Sequence, residues 1–389
     1  MKTTARTALA AFALSLAAAP AAAQESGAFI VRLGRDTVVV DQFTRTADRI
    51  EGTLVGRTPR TSIRTYTATL RPDGTVERVE MTTRLPSQPD QPPQTVTLTT
   101  GADSAEWRIQ RGDTVRSGRM AAGSDAFPWI FNSYSLAEPV IAAALARGVD
   151  SAAVPVVQAG GRQTGTVSFI RNGADSVLIR SGNGVTRARV DARGRVLGAH
   201  SPESTFKAEV ERVASVDVNA IATAWAARDQ AGQQMGSLSP RDSVSMDLNE
   251  ANVSVAYGRP SLRGRRAVGG TLVPYGQVWR TGANEATHFR ADRDLMFGET
   301  RVPAGSYTLW TVPGRDGWTV IFNRQTGQWG TVYDASQDVA RLPASVDRPP
   351  GGPVEQLTMR IVADECGDGG VLRLMWENTR VSLPFTVAR

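Results

Sequence analysis

Apolar and polar side chains alternate in short runs between residues 28 and 120, with turn residues between the runs, which is the period-two pattern of half-buried strands. Residues 63–70 (IRTYTATL) and 76–81 (VERVEM) carry it most clearly, and Pro72-Asp73-Gly74 between them predicts a tight turn. Residues 37–40 (TVVV) predict a further strand, and the polar, Pro- and Gln-rich stretch 85–94 an exposed loop. Arg111-Gly112-Asp113 lies between two β-rich runs and is expected to be a hairpin turn rather than a cell-adhesion signal.

At Ser135 the period lengthens to that of a helix. Leu136, Val140, Ala143 and Ala144 recur at helical spacing, Ser135 and Glu138 spell a capping box, and Gly148 predicts the end. Strands resume over 154–213, with Asn172-Gly173 and Asn183-Gly184 as two-residue hairpin signals and 191–194 (DARG) as another turn. A second helix is expected over 218–235, with Asp217 as N-cap and Ile221, Ala224, Trp225 and Arg228 along one face. Residues 236–242 (GSLSPRD) break that pattern. Further on, Pro303-Ala304-Gly305 predicts a turn into a strand over 306–312, and Trp318, Val320 and Phe322 alternate onto one core face.

These patterns predict a mainly β protein of two β domains. Residues 24–215 would form an antiparallel curved-sheet or open-barrel domain with one helix. Residues 216–239 would be a connecting helix and linker, and 240–389 a β-sandwich.

The first 23 residues stand apart. Lys2 and Arg6 precede an apolar run from Ala8 to Ala19, then Pro20 and the small residues Ala21-Ala22-Ala23. That order predicts a secretory signal peptide cleaved after Ala23, and hence an exported protein, periplasmic or secreted. The run is too short to span a bilayer, and no later segment is expected to be transmembrane. Cys366 is the single cysteine, so no internal disulfide can form despite the oxidising compartment. The net charge of +6 falls to +4 without Lys2 and Arg6, and residues 240–389 hold 17 Arg against 16 acidic residues. Charges are therefore mixed along the chain, which argues against a nucleic-acid partner in spite of the basic pI.

Several ordered motifs lie in the second half. They include 253–261 (VSVAYGRPS), 272–286 (LVPYGQVWRTGANEA), 302–309 (VPAGSYTL), 318–323 (WTVIFN), 328–330 (QWG) and 374–381 (LMWENTRV). Through these, residues 240–387 resemble a bacterial family, domain-of-unknown-function family 2911. The resemblance implies an exported β-sandwich and no established activity. Thr331-Val332 departs from the small-aromatic run expected after Trp329-Gly330. Residues 24–215 carry no such resemblance.

Signatures of chemistry are sparse. His200 and His288 are the only histidines, and neither stands in a metal-ligand spacing, so no metal and no cofactor are expected. No nucleophile elbow, phosphate loop or dinucleotide fingerprint occurs. What does concentrate between residues 257 and 329 is Trp, Tyr, Arg, Asn and Glu. Arg280, Asn284 and Glu285 follow Trp279 in one loop and offer a fork of donors, an amide and an acceptor to a polar ligand. Arg259 and Trp329 are expected at the same rim. The favoured reading is ligand binding or scaffolding, with an unknown polar ligand or envelope component as partner. The alternative is a carboxylate-dependent hydrolase of envelope polymers or glycans, with Glu285 as one of two carboxylates about 5–10 Å apart.

Overall fold

The computed structural model describes residues 24–388 apart from 147, 149, 162, 163, 182, 183 and 203–205. The expected signal peptide and its cleavage point lie outside the described residues, as does Asn183 of the second hairpin signal.

The chain is mostly β, in two sheets. The first has fifteen strands. Glu25–Leu33 and Ala208–Val213 pair antiparallel at its middle, with Val31 opposite Val210. From there one arm runs strand by strand to Thr114–Ala121, and the other runs through Ser151–Val157 to the short edge strand Phe127–Pro128. Such a long sheet cannot stay flat, because each strand adds right-handed twist. It curls until Phe127–Pro128 comes back against Val76–Arg84 and Gln94–Thr100 in the opposite arm, so the sheet is nearly closed and barrel-like.

The expected turns between strands are present. Gly74, Gly112, Gly173 and Gly194 all take positive φ, the left-handed region where glycine carries no Cβ penalty. Helix α1 (Tyr134–Ala146) fills the curl and packs on strands of both arms. Leu136, Val140, Ile141 and Ala144 enter one core with Phe29, Phe43 and Phe169.

The capping box expected at Ser135 does not form. The Ser135 hydroxyl lies 2.8 Å from Asp41 Oδ2 and 2.7 Å from the Tyr66 hydroxyl, inside the core. The Glu138 carboxylate, 2 % exposed, takes Arg45 at 2.9 Å, Arg212, and the Val196 amide at 2.8 Å. Both side chains face the sheet rather than solvent, so tertiary partners displace the local cap. Helix α1 is thereby tied to the sheet through a buried charge network.

Helix α2 (Val218–Gln230) begins as expected, with the Asp217 carboxylate accepting from the amides of Asn219 and Ala220. It ends five residues early, where Gly232 takes φ 75. Its buried face is Ala222, Trp225 and Ala226, while Ala224 and Arg228 are exposed. In so Ala-rich a helix no apolar stripe dictates the face. Trp225 does, by covering Val40 and Val55 on the outer side of the first sheet.

The second sheet has eleven strands, from Arg241–Asp247 to Thr379–Val387. It branches at its last strand, which pairs with Gly369–Glu377 along one edge. Along the other edge it pairs with Asp338–Asp347 and then with Leu295–Phe297. A branched sheet folds over, and all its inward faces meet in one core that includes Tyr257, Trp318, Phe322 and Trp376. Gly305–Val312 is the strand expected after the Pro303 turn, and Trp318, Val320 and Phe322 are buried together. No helix among the described residues is long and apolar enough to cross a membrane.

Candidate functional site

The loop from Trp279 to Glu285 starts in the core. Trp279 is 8 % exposed and stacks on Trp376, with ring centroids 6.0 Å apart and planes 13° apart, while Trp318 meets it edge-on. Its backbone exchanges two hydrogen bonds with Thr311, at 2.7 and 2.9 Å. From this anchor the chain turns sharply, and Thr281 (φ 56) and Asn284 (φ 64) both take the left-handed region. A β-branched residue there costs on the order of 1–3 kcal/mol. The surroundings hold it in place. Thr281 Oγ1 donates to the Trp279 carbonyl, and Thr287 Oγ1 donates to the Thr281 carbonyl at 3.0 Å. Gly258 closes the fit, since a Cβ there would overlap the carbonyl oxygen of Ala283.

Trp329 is brought beside this loop by backbone pairing. Gly330 N donates to the Asn284 carbonyl at 2.9 Å, and Ala286 N to the Gln328 carbonyl at 3.2 Å. The Arg280 stem lies across Gly330, where a Cβ would collide with Arg280 Cδ. Arg280 Nε donates to the Gly282 carbonyl at 3.3 Å, and no carboxylate among the described residues lies within ion-pair distance of its guanidinium. Burial pushes its pKa below the usual arginine range. Asn284 donates to the Ser239 carbonyl at 3.3 Å, which ties the loop to the segment just before the second sheet.

The open side of this loop faces the first sheet across a cleft of about 1140 Å³. Trp329, Arg280, Asn284 and Val278 line one wall, and Phe131, Arg64, Arg180 and Arg187 the other. Trp329 is 52 % exposed and Phe131 47 %, values that no core residue shows. A narrower recess opens off the cleft behind Phe131 and Phe206, lined by Trp129, Ile130, Tyr134 and Ile179. No Asp or Glu is among the described residues that line the cleft.

Of the six residues singled out from the sequence, the structure brings Arg280, Asn284 and Trp329 together at the cleft surface. Trp279 touches the cleft but is a core residue. Arg259 and Glu285 are elsewhere. Arg259 clamps two strands, donating to Asp242 at 2.9 Å, to the Leu357 carbonyl at 3.1 Å and to Thr358 Oγ1 at 3.2 Å. Glu285 pairs with Arg241 at 2.7 Å, and Arg241 also meets His288 Nδ1 at 3.0 Å. Burial and the nearby Arg241 lower the His288 pKa, while the Gly327 amide donates to Nε2. The acid and the histidine are thus joined through an arginine, outside the cleft lining. Among the described residues no three His, Cys, Asp or Glu side chains converge on a point where a metal could sit.

The whole far wall was missed by sequence reasoning. Arg64, Arg180 and Arg187 stand at strand positions that read as ordinary solvated arginines. For Phe131 a signal existed: 127–131 (FPWIF) is a dense aromatic run just before α1, and its last member is left facing out.

Residues 239–385 match the family model described as a protein of unknown function, DUF2911. No family model matches the N-terminal half, and no curated protein matches the chain. A crystal structure of a DUF1089 family protein from Pseudomonas aeruginosa is similar at 15 % identity with a TM-score of 0.29, covering 49 % of this chain and 95 % of that one.

Proposed function

We propose that this protein captures a small ligand in the cleft between the Trp279–Glu285 loop and the first sheet, and that it does so outside the cytoplasm, after removal of residues 1–23. One observation carries the reading. An exposed tryptophan, Trp329, stands beside a half-buried arginine, Arg280, that lacks a carboxylate partner among the described residues, on a loop held rigid from behind. Large aromatic surface left in water and charge left uncompensated are both costly arrangements, and a ligand would relieve both. The loop is also preorganised, because the strain at Thr281 is held by its contacts with Trp279, Thr287 and Thr311, which exist without a ligand. The two sheets act in this reading as separate domains, joined by residues 216–239 and each supplying one wall.

The hydrolase alternative has less behind it. Its expected carboxylate, Glu285, is engaged by Arg241, and no described acid lines the cleft to serve with it. The binding reading is tested by adding fractionated extract of the producing cells' envelope to purified protein and following its Tm. A fraction that raises the Tm of the native protein but not of Arg280→Ala or Trp329→Ala is the expected result. A native protein that responds to no fraction, or variants that respond equally, would contradict it.

A further inference from the structure

Across the chain, basic and acidic residues nearly balance, at 44 Lys plus Arg against 38 Asp plus Glu. The cleft departs from that balance entirely. Its lining holds four arginines and, among the described residues, no acid. Arg180 and Arg187 stand on one face of two paired strands, since Leu178 pairs with Arg187 and Arg180 with Val185. Arg64 lies on Ser62–Leu70, two residues from the buried Tyr66 and on the same side.

Several half-buried arginines elsewhere in this molecule have a carboxylate, and Arg71 is held instead by the carbonyls of Val76 and Thr100. Arg45 and Arg212 share Glu138, and Arg259 has Asp242. Arg64 and Arg280 are half-buried too, and burial pushes both below the usual arginine range, yet neither has a carboxylate partner among the described residues. Withdrawing a guanidinium from water without a counter-charge is unfavourable, so the missing anion is the natural complement of the site. A cleft walled by low-dielectric protein and lined by one sign of charge also concentrates the opposite sign.

The charge does not stand alone. Five large hydrophobic side chains are exposed on the described surface, and Phe131, Val278 and Trp329 among them line this cleft. An inorganic anion would use the arginines and leave those three in water.

We propose that the ligand is a small organic oxyanion, a carboxylate, sulfonate or phosphate on an apolar body, with the anionic group taken by Arg64 and Arg280 and the body laid against Phe131 and Trp329. This rests on the binding reading above and adds the ligand's chemical class to it. A guanidinium offers paired donors that match the two oxygens of such a group, and aromatic faces accept an apolar body without demanding one shape.

Two dyes with the same body separate charge from surface. 1-Anilinonaphthalene-8-sulfonate carries a sulfonate, and N-phenyl-1-naphthylamine is its neutral parent. Each is titrated into the full-length mature protein and followed by fluorescence, with inorganic phosphate as a third probe. The sulfonate dye is expected to bind roughly tenfold tighter or more than the neutral one, the range of a charge-assisted hydrogen bond. That advantage should shrink with added salt. It should vanish in Arg64→Gln/Arg280→Gln, whose unchanged far-UV spectrum and Tm establish that the fold survives. Phosphate should displace the dye only weakly. Equal binding of both dyes, with sensitivity to Trp329→Ala, would overturn the anion assignment and leave the binding reading standing. Phosphate as tight as the sulfonate dye would overturn the apolar body. Binding of neither dye would overturn the proposal together with the cleft as a site for such ligands.

Discussion

Trp279 and Trp329 stand on adjacent segments of one rim yet belong to different parts of the molecule: Trp279 is 8 % exposed and stacked on Trp376, and Trp329 is 52 % exposed over the cleft. In sequence they look alike, each a tryptophan in a Gly-containing motif. The difference is that Trp279 packs into the second core, whereas Trp329 sits on a return loop that pairs with residues 284–286 through its backbone and leaves the ring outside.

Their substitutions should therefore separate cleanly. Trp279→Ala removes a large buried ring and is expected to cost about 3–5 kcal/mol. Trp329→Ala removes a ring already in water and is expected to stay within about 0.5 kcal/mol. Denaturant unfolding of the two variants measures both, and equal losses would place Trp329 in the core after all.

Glu138 is the buried junction between α1 and the sheet. Glu138→Gln removes one of the two carboxylates that Arg45 and Arg212 share, Glu25 remaining, and a loss of about 1–3 kcal/mol is expected. Calorimetry reads this as a lower Tm. An unchanged Tm would mean that Glu25 alone satisfies both arginines.

Asp41 gives the fold a specific pH dependence. It is fully buried, and burial pushes its pKa up to about 6, against the hydrogen bonds from Tyr66, Ser135 and Ser133. In the unfolded chain it titrates at the ordinary 3.8. Because the folded value is raised, this group's contribution is complete below pH 3.8 and is lost as pH rises through about 6. The loss is on the order of 3 kcal/mol once both states are ionised. Asp41→Asn cannot ionise, so relative to the native protein it should gain Tm at pH 8 and little at pH 4. A pH-independent difference between the two would show that Asp41 does not titrate in this range.

Much of the fold was legible in the sequence because its signals are local. Alternation marked the strands, glycine and proline marked the turns, and Asp217 marked the start of α2. The failed cap at α1 has a distant cause. At Ser135 and Glu138 a local cap competed with Asp41, Arg45 and Arg212, which lie more than 70 residues away, and the distant partners won. The candidate site was half legible for the same reason. Arg280, Asn284 and Trp329 sit in recognisable motifs, whereas Arg64, Arg180 and Arg187 acquire meaning only because the first sheet places them opposite. A pairing such as Arg241 with Glu285 has no sequence signature, since 44 residues separate a strand from a loop rim.

That pairing predicts a negative result. Arg241 and Glu285 are both exposed, and such ion pairs are worth about 0–1 kcal/mol. Glu285→Gln should leave stability and ligand capture nearly unchanged, as a thermal-shift titration with an active envelope fraction would register. Loss of capture in this variant would return Glu285 to the site and revive the carboxylate chemistry.

The capture of a ligand in the cleft is tested most directly by native mass spectrometry of the protein taken intact from its own cells. The native protein should carry an added mass of small-molecule size that is released on denaturation, and Arg280→Ala/Trp329→Ala should be found at the bare polypeptide mass. Native protein found only at the bare mass, or an adduct retained equally by the double variant, would contradict a ligand site between Trp329 and the first sheet.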